Sequence, residues 1–262
     1  MATSDIHEWV DNAPVPGENE NEPQGGTMTL IEHLEELRRR IIVCLIGVAV
    51  ASIAAFVFWD PILGFLASPL PKISSPLLKN GHLIVNDPGG GFIIAFKIAL
   101  AVGLAVAMPL LLYEIWAYIA PALTRRELKY AKPFTVLGAG LFVVGVATGF
   151  LVLRYPLEFL IEFGSDRFTY LISADAYFGF VSFFMLAFGL VFELPLVLVF
   201  LSLLGVVSSR FLREKRKYIL FGLWFLSVFI TPGADPYSPV IVGISFTVLY
   251  ELSIILIRAI GK

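Results

Sequence analysis

Apolar runs, each closed by charges or by prolines and glycines, organise this chain from about residue 41 onward. A helix needs roughly 20 apolar residues to cross the hydrocarbon core of a bilayer. By that rule six spans are expected, at about 41–59, 92–120, 133–153, 176–204, 218–230 and 240–257. The second and fourth run to roughly 43 Å of helix at about 1.5 Å per residue. That exceeds a core of about 30 Å, so they are expected to tilt, bend or protrude. Each holds an interior proline, Pro109 or Pro195, which frees a backbone carbonyl and permits a kink. The fifth gives only about 20 Å of helix. Thr231-Pro232-Gly233 and Asp235-Pro236 break the chain before the sixth. A five-span alternative, in which 218–230 only enters the bilayer, stays open. The pattern predicts an all-α polytopic transmembrane bundle.

The segments between the runs differ in kind. Residues 29–40 read as an amphipathic helix, with Leu30, Leu34, Leu37 and Ile41 on one face. Its acids, Glu32, Glu35 and Glu36, precede Arg38, Arg39 and Arg40, which suits the helix dipole and allows a Glu36–Arg40 pair at i, i+4. Residues 60–91 are rich in proline and glycine, and 154–175 hold four acids. Lys and Arg sort by loop. Fourteen lie before the first span, in the second-to-third and fourth-to-fifth loops and at the C-terminus, against four in the other loops. The positive-inside rule then places both termini in the cytoplasm. Lys97, near the outer end of the second span, is expected to snorkel outward.

Composition agrees with the pattern. Hydrophobic residues make up 58% of the 262 positions and charged residues 15%, and the mean hydropathy is +0.84. A soluble domain is nearer half apolar and a quarter charged. The first 26 residues stand apart, with six acids, three prolines and no Lys or Arg. One-sided charge and low hydrophobicity predict a disordered acidic tail at 1–26, ahead of a membrane domain at 27–262. The tail lacks the basic start of a secretory signal, and its acids exclude a transit peptide.

The candidate chemistry is sparse. One cysteine, Cys44, and three scattered histidines cannot build a zinc site, and no metal or cofactor is expected. No predicted span contains Asp or His, which excludes intramembrane aspartyl and Ser-His proteases. The glycine triplet at 89–91 lacks a following Gly-Lys-Ser/Thr, so it is no phosphate loop. An enzyme is not expected. Glu193 lies in the middle of the fourth span, where an ionisable group costs at least about 3 kcal/mol, so it is expected to face a polar cavity, a partner or a proton. Glu114 and Glu251 sit nearer the span ends and read as structural. On charge pattern alone the 29–40 helix is interfacial with self-paired charges, and Glu127 neutralises the basic turn around it.

Several of these segments carry a family resemblance. They are His33-Leu34-Glu35-Glu36-Leu37-Arg38 and Pro109-Leu110-Leu111-Leu112-Tyr113-Glu114-Ile115-Trp116-Ala117-Tyr118-Ile119-Ala120-Pro121-Ala122-Leu123. Phe192-Glu193-Leu194-Pro195, Phe229-Ile230-Thr231-Pro232 and Ser68-Pro69-Leu70 complete the set. In order and placement they make the chain, from about residue 28 to its end, resemble TatC, the polytopic subunit of the twin-arginine protein translocase. The resemblance implies six spans in a curved, cup-like wall and a cytoplasmic surface that binds signal peptides bearing paired arginines. It implies Glu36, Leu37, Arg38, Tyr118, Pro121 and Glu127 as the peptide site, with carboxylates receiving guanidinium groups in charge-assisted bonds. The family often has Phe where Tyr118 stands here. Glu193 matches an intramembrane glutamate that opens into the concave face. Single-span subunits of the TatA and TatB type are implied near the fifth and sixth spans, around Thr231, Pro232 and Asp235. Transport is implied to draw on the proton-motive force in a bacterial or archaeal cytoplasmic membrane, with self-association in a larger complex.

Two other readings stay open at this stage. One is a proton-coupled small-solute carrier with Glu193 as relay, motivated by the mid-helix prolines of the second and fourth spans, which hint at a parallel repeat. The other is a scaffold protein without a transport role.

Overall fold

A computed structural model describes residues 30–70, 83–119, 131–163, 172–231 and 235–261. The acidic tail, Pro121, Glu127 and Pro232 lie outside these residues. Ten helices carry the described chain: α1 (Leu30–Val57), α2 (Trp59–Ala67), α3 (Gly90–Ile119), α4 (Ala131–Val152), α5 (Arg154–Glu162), α6 (Ala174–Val191), α7 (Leu194–Leu203), α8 (Ser209–Glu214), α9 (Arg216–Ile230) and α10 (Tyr237–Ala259). The described residues form no strand. A single parallel pairing, Ile84 with Ser173, joins two connecting segments.

Five stretches are long and apolar enough to cross a membrane: Ile31–Val57, Gly90–Ile119, Phe134–Glu162, Ala174–Leu203 and Tyr237–Ala259. The expected span at 218–230 coincides with α9, whose 15 residues reach only about 22 Å. It falls short of a core of about 30 Å. The amphipathic segment and the first expected span form one unbroken helix, α1. No proline lies between residues 30 and 57 to stop it.

The proline effects are uneven. Pro109 sits inside an uninterrupted α3. Pro195 divides the fourth expected span into α6 and α7, separated by the turn at Phe192–Glu193. It has no N–H to donate to the carbonyl four residues back. The backbone stays nearly continuous, because Val197 N–H donates to the Glu193 carbonyl at 3.0 Å. Gly205 closes α7 with φ +75°. Val206 N–H reaches the Leu201 carbonyl at 2.9 Å and Gly205 N–H reaches Ser202 at 3.0 Å, a Schellman closure.

Packing orders the helices. α1 packs chiefly on α3; α3 also meets α4 and α6; α10 meets α7 and α9. Only 6% of the apolar stretch of α1 is buried, against 50% of that in α6–α7, so α1 lies at an edge. The outer face of α9, with Tyr218, Phe221, Phe225 and Phe229, is also exposed. Such apolar faces are solvated by lipid rather than water. Two buried clusters hold the interior. One centres on Ile98, Phe184, Phe188 and Val242. The other centres on Leu112, Trp116, Phe142, Leu212 and Tyr250.

The ends of the bundle are tied differently. Where α2 and α6 approach, Tyr177 Oη–H donates to the Leu66 carbonyl at 2.9 Å. Ala174 N–H donates to the Ile84 carbonyl at 2.8 Å and Ile84 N–H to Ile172 at 3.2 Å. Lys97 Nζ lies 2.6 Å from Asp175 Oδ1. At the other end Tyr250 Oη–H donates to the Leu212 carbonyl at 2.6 Å, and Arg216 pairs with Glu251 at 2.5 Å.

Candidate functional site

The N-terminal turns of α1 and the C-terminal turns of α3 meet, because the two helices run antiparallel, with Arg40 against Glu114, Gly47 against Leu110 and Ser52 against Gly103. Helical spacing puts His33, Glu36, Leu37 and Arg40 on one side of α1. The same spacing puts Glu114 and Tyr118 together on α3. The His33 and Tyr118 rings stack, with centroids 4.4 Å apart and planes at 18°. One turn further in, Arg40 joins two carboxylates. Its Nη2 lies 2.6 Å and its Nε 3.0 Å from Glu36 Oε1, and its Nη1 lies 2.8 Å from Glu114 Oε2. Glu36 Oε2 is buried and has no hydrogen-bond partner among the described residues. The side chains of Glu36, Arg40 and Glu114 are 21%, 23% and 12% exposed. Within this trio two carboxylates share one guanidinium.

Of the residues expected at the peptide site, Glu36 and Tyr118 occupy this corner. Leu37 is half-buried beside them, and Arg38 is exposed with no ion pair among the described residues. Pro121 and Glu127 fall outside the described residues. The sequence pattern marks Glu114 as structural and places His33 in the first motif without a site role of its own. The i, i+4 spacing of Glu114 and Tyr118 was the available signal, but nothing local ties Glu114 to Arg40, 74 positions away.

Glu193 occupies the turn between α6 and α7 and is 6% exposed. Neither of its carboxyl oxygens has a partner among the described residues. A Cβ built on Gly138 of α4 would lie 3.2 Å from Glu193 Oε2, so glycine leaves the carboxyl its space. Asp235 is 4% exposed. It accepts from Ser238 N–H at 2.7 Å and from the Ser238 hydroxyl at 2.8 Å, holding the first turn of α10. Thr231 Oγ1–H donates to the Ser227 carbonyl at 3.0 Å. Both residues thus have internal work at the α9–α10 turn. Trp224 Nε1–H donates to Thr247 Oγ1 at 3.1 Å, with its ring against Gly243.

The described residues hold no group of three or more His, Cys, Asp or Glu able to bind a metal ion. The arrangement can receive cationic groups at the α1–α3 corner and a proton or a polar partner at Glu193.

Residues 32–244 match the family profile described as Sec-independent protein translocase protein (TatC). The chain belongs to the TatC family. A TatC of Deinococcus radiodurans is 35% identical over 238 residues, covering 90% of this chain and 88% of the relative. A TatC of Desulforapulum autotrophicum is 36% identical over 232 residues, covering 88% and 84%. A crystal structure titled twin arginine translocase receptor TatC superposes with a TM-score of 0.73 at 35% identity, covering 88% of this chain and all of that one. A second, in the detergent DDM, gives 0.74 at 35% identity. With its long apolar helices, this member of the family is a multi-pass membrane protein of the protein-transport machinery.

Proposed function

We propose that the chain is the signal-peptide receptor and core subunit of a twin-arginine translocase, moving folded proteins with single-span partners at the expense of the proton-motive force. The observation that carries this reading is the half-buried Glu36, whose second carboxyl oxygen is unpartnered, set beside Glu114 and the His33–Tyr118 stack. A carboxylate at a membrane-proximal corner with spare acceptor capacity suits an arginine side chain, which bonds carboxylates in a planar fork. Membership of the TatC family and the receptor title of the related crystal structures support the assignment.

In this proposal α9 serves as the sixth span, despite its length, and both termini are cytoplasmic, as the loop distribution of Lys and Arg directs. Residues 1–26 form a tail outside the membrane domain at 27–262. Leu37, Arg38, Tyr118, Pro121 and Glu127 complete the peptide site. Single-span subunits of the TatA and TatB type dock near α9 and α10, around Thr231, Pro232 and Asp235. Glu193 presents its carboxyl to the translocation path. The chain self-associates in the larger complex, in a bacterial or archaeal cytoplasmic membrane.

The test is binding of a twin-arginine signal peptide to the purified chain in nanodiscs. Reversing Glu36 and Glu127 together to Lys is expected to abolish binding while a fluorescent melting profile stays cooperative. Unchanged affinity in that double variant would sink the site assignment. A solute carrier built on Glu193 is the second reading, favoured by its buried, unpartnered carboxyl. Uptake of a small solute by proteoliposomes that hold this chain alone would establish it instead.

A further inference from the structure

We infer that Glu36 and Glu114 form a guanidinium-binding site, that Arg40 is its resident occupant, and that Arg40 yields it to an incoming arginine. Glu114 then belongs to the binding site rather than only to the packing of α1 on α3. The last step rests on the receptor reading above; the site itself does not.

The geometry of the resident pair carries the inference. A guanidinium bound to a carboxylate at full strength places two parallel N–H groups on two oxygens. Arg40 does not do this. Both its Nε and its Nη2 donate to the same oxygen, Glu36 Oε1, at 3.0 and 2.6 Å. Arg40 approaches from one turn along the same helix, and in this geometry its fork meets a single oxygen. Oε2 is left without a partner and away from solvent. A buried acceptor without a donor keeps its full desolvation cost. An arginine arriving from outside α1 can engage both oxygens. The third bond, Arg40 Nη1 to Glu114 Oε2 at 2.8 Å, fixes where the second carboxylate sits relative to the guanidinium plane. Glu114 is the least exposed of the three, so any cation there gains from reduced screening.

Charge and exchange agree with this view. One guanidinium between two carboxylates leaves room for a second positive charge. Arg40 lies at the polar end of α1 and is 23% exposed. Its long stem can carry the displaced charge outward to the interface. The resident arginine thus sets a threshold, because a ligand must outbid it. A single lysine, with a point charge and no fork, is a poor competitor.

The experiment uses the full chain in nanodiscs and has two arms. In the first, Arg40→Ala is titrated with methylguanidinium and, separately, with methylammonium, and thermal midpoints are followed. Methylguanidinium is expected to raise the midpoint of Arg40→Ala more than methylammonium does, with no such difference in the parent or in Arg40→Ala/Glu114→Gln. An equal response to both cations, or an unchanged preference in the double variant, would overturn the site. Should Arg40→Ala not fold, Arg40→Gln, which keeps an amide donor, carries the same titration. In the second arm, affinity for a twin-arginine peptide is measured. Arg40→Gln is expected to tighten it about tenfold and Glu114→Gln to weaken it about tenfold, the scale of one charge-assisted hydrogen bond. Indifference to both substitutions, in a chain that still needs Glu36, would overturn the exchange and leave the receptor reading standing. A methylguanidinium preference in Arg40→Ala, beside a parent that binds no peptide, would do the reverse.

Discussion

Glu193 is the residue whose energetics are least balanced. Its carboxyl is buried between α4 and α7, and neither oxygen has a partner among the described residues. Replacing an unsatisfied buried polar group by an apolar one of similar size is neutral or stabilising. Glu193→Leu is therefore expected to raise thermal stability by about 1–3 kcal/mol while lowering export of a folded reporter. A drop in the melting temperature of the purified chain would show that the carboxyl is satisfied within the fold. Glu193 was legible in the sequence because a charge in the middle of an apolar run violates the pattern around it. Glu114 was not, because it lies near the end of its run, where a carboxylate needs no explanation. Its partner became visible only when α1 and α3 were set side by side. Asp235 marks the opposite limit: its acidic place in the turn was legible, but its two bonds to Ser238 were not.

At the scale of the helices, α1 and α3 approach closely enough to require glycine. A Cβ on Gly103 would lie 2.6 Å from both the backbone nitrogen and the Cα of Ser52, and backbone cannot swing aside as a flexible side chain does. Gly103→Val is therefore expected to cost about 1–3 kcal/mol or more and to pull Arg40 away from Glu114. Gly140→Ala, where a Cβ would meet open space, is the control and should not lower the melting temperature, because alanine favours a helix interior over glycine. Equal melting temperatures for the two variants would disprove the close approach. The long spans were readable because apolar length alone specifies them. The short helices α2 and α5 were missed for a physical reason. Pro61 and Pro156 looked like loop residues, yet each occupies the first turn of its helix, where proline loses no hydrogen bond. Pro195 stands in the same position in α7, which is why it starts a new helix and does not merely bend an old one.

For the whole molecule the open quantity is the parity of the crossings, and α9 decides it. If its 15 residues cross, the C-terminus returns to the side of the N-terminus. If they do not, the two ends are separated. In a Cys44→Ser background, Gly261→Cys is expected to resist a membrane-impermeant maleimide in intact cells and to react after permeabilisation. Labelling of intact cells would make α9 a re-entrant helix and the protein five-spanning. The two ends of the bundle also differ in what joins their helices. At the end holding Arg40 and Arg216, charge links α1 to α3 and α9 to α10, through Glu114 and Glu251. At the opposite end backbone and phenol bonds tie Leu66, Ile84, Ala174 and Tyr177 together, and the half-exposed Lys97–Asp175 pair adds little. Dissolved salt screens the half-exposed Arg216–Glu251 and Lys97–Asp175 pairs and reaches the more buried Arg40–Glu114 pair far less. Ionic strength thus acts on one exposed pair at each end of the bundle, and the α1–α3 corner keeps its charge link in salt.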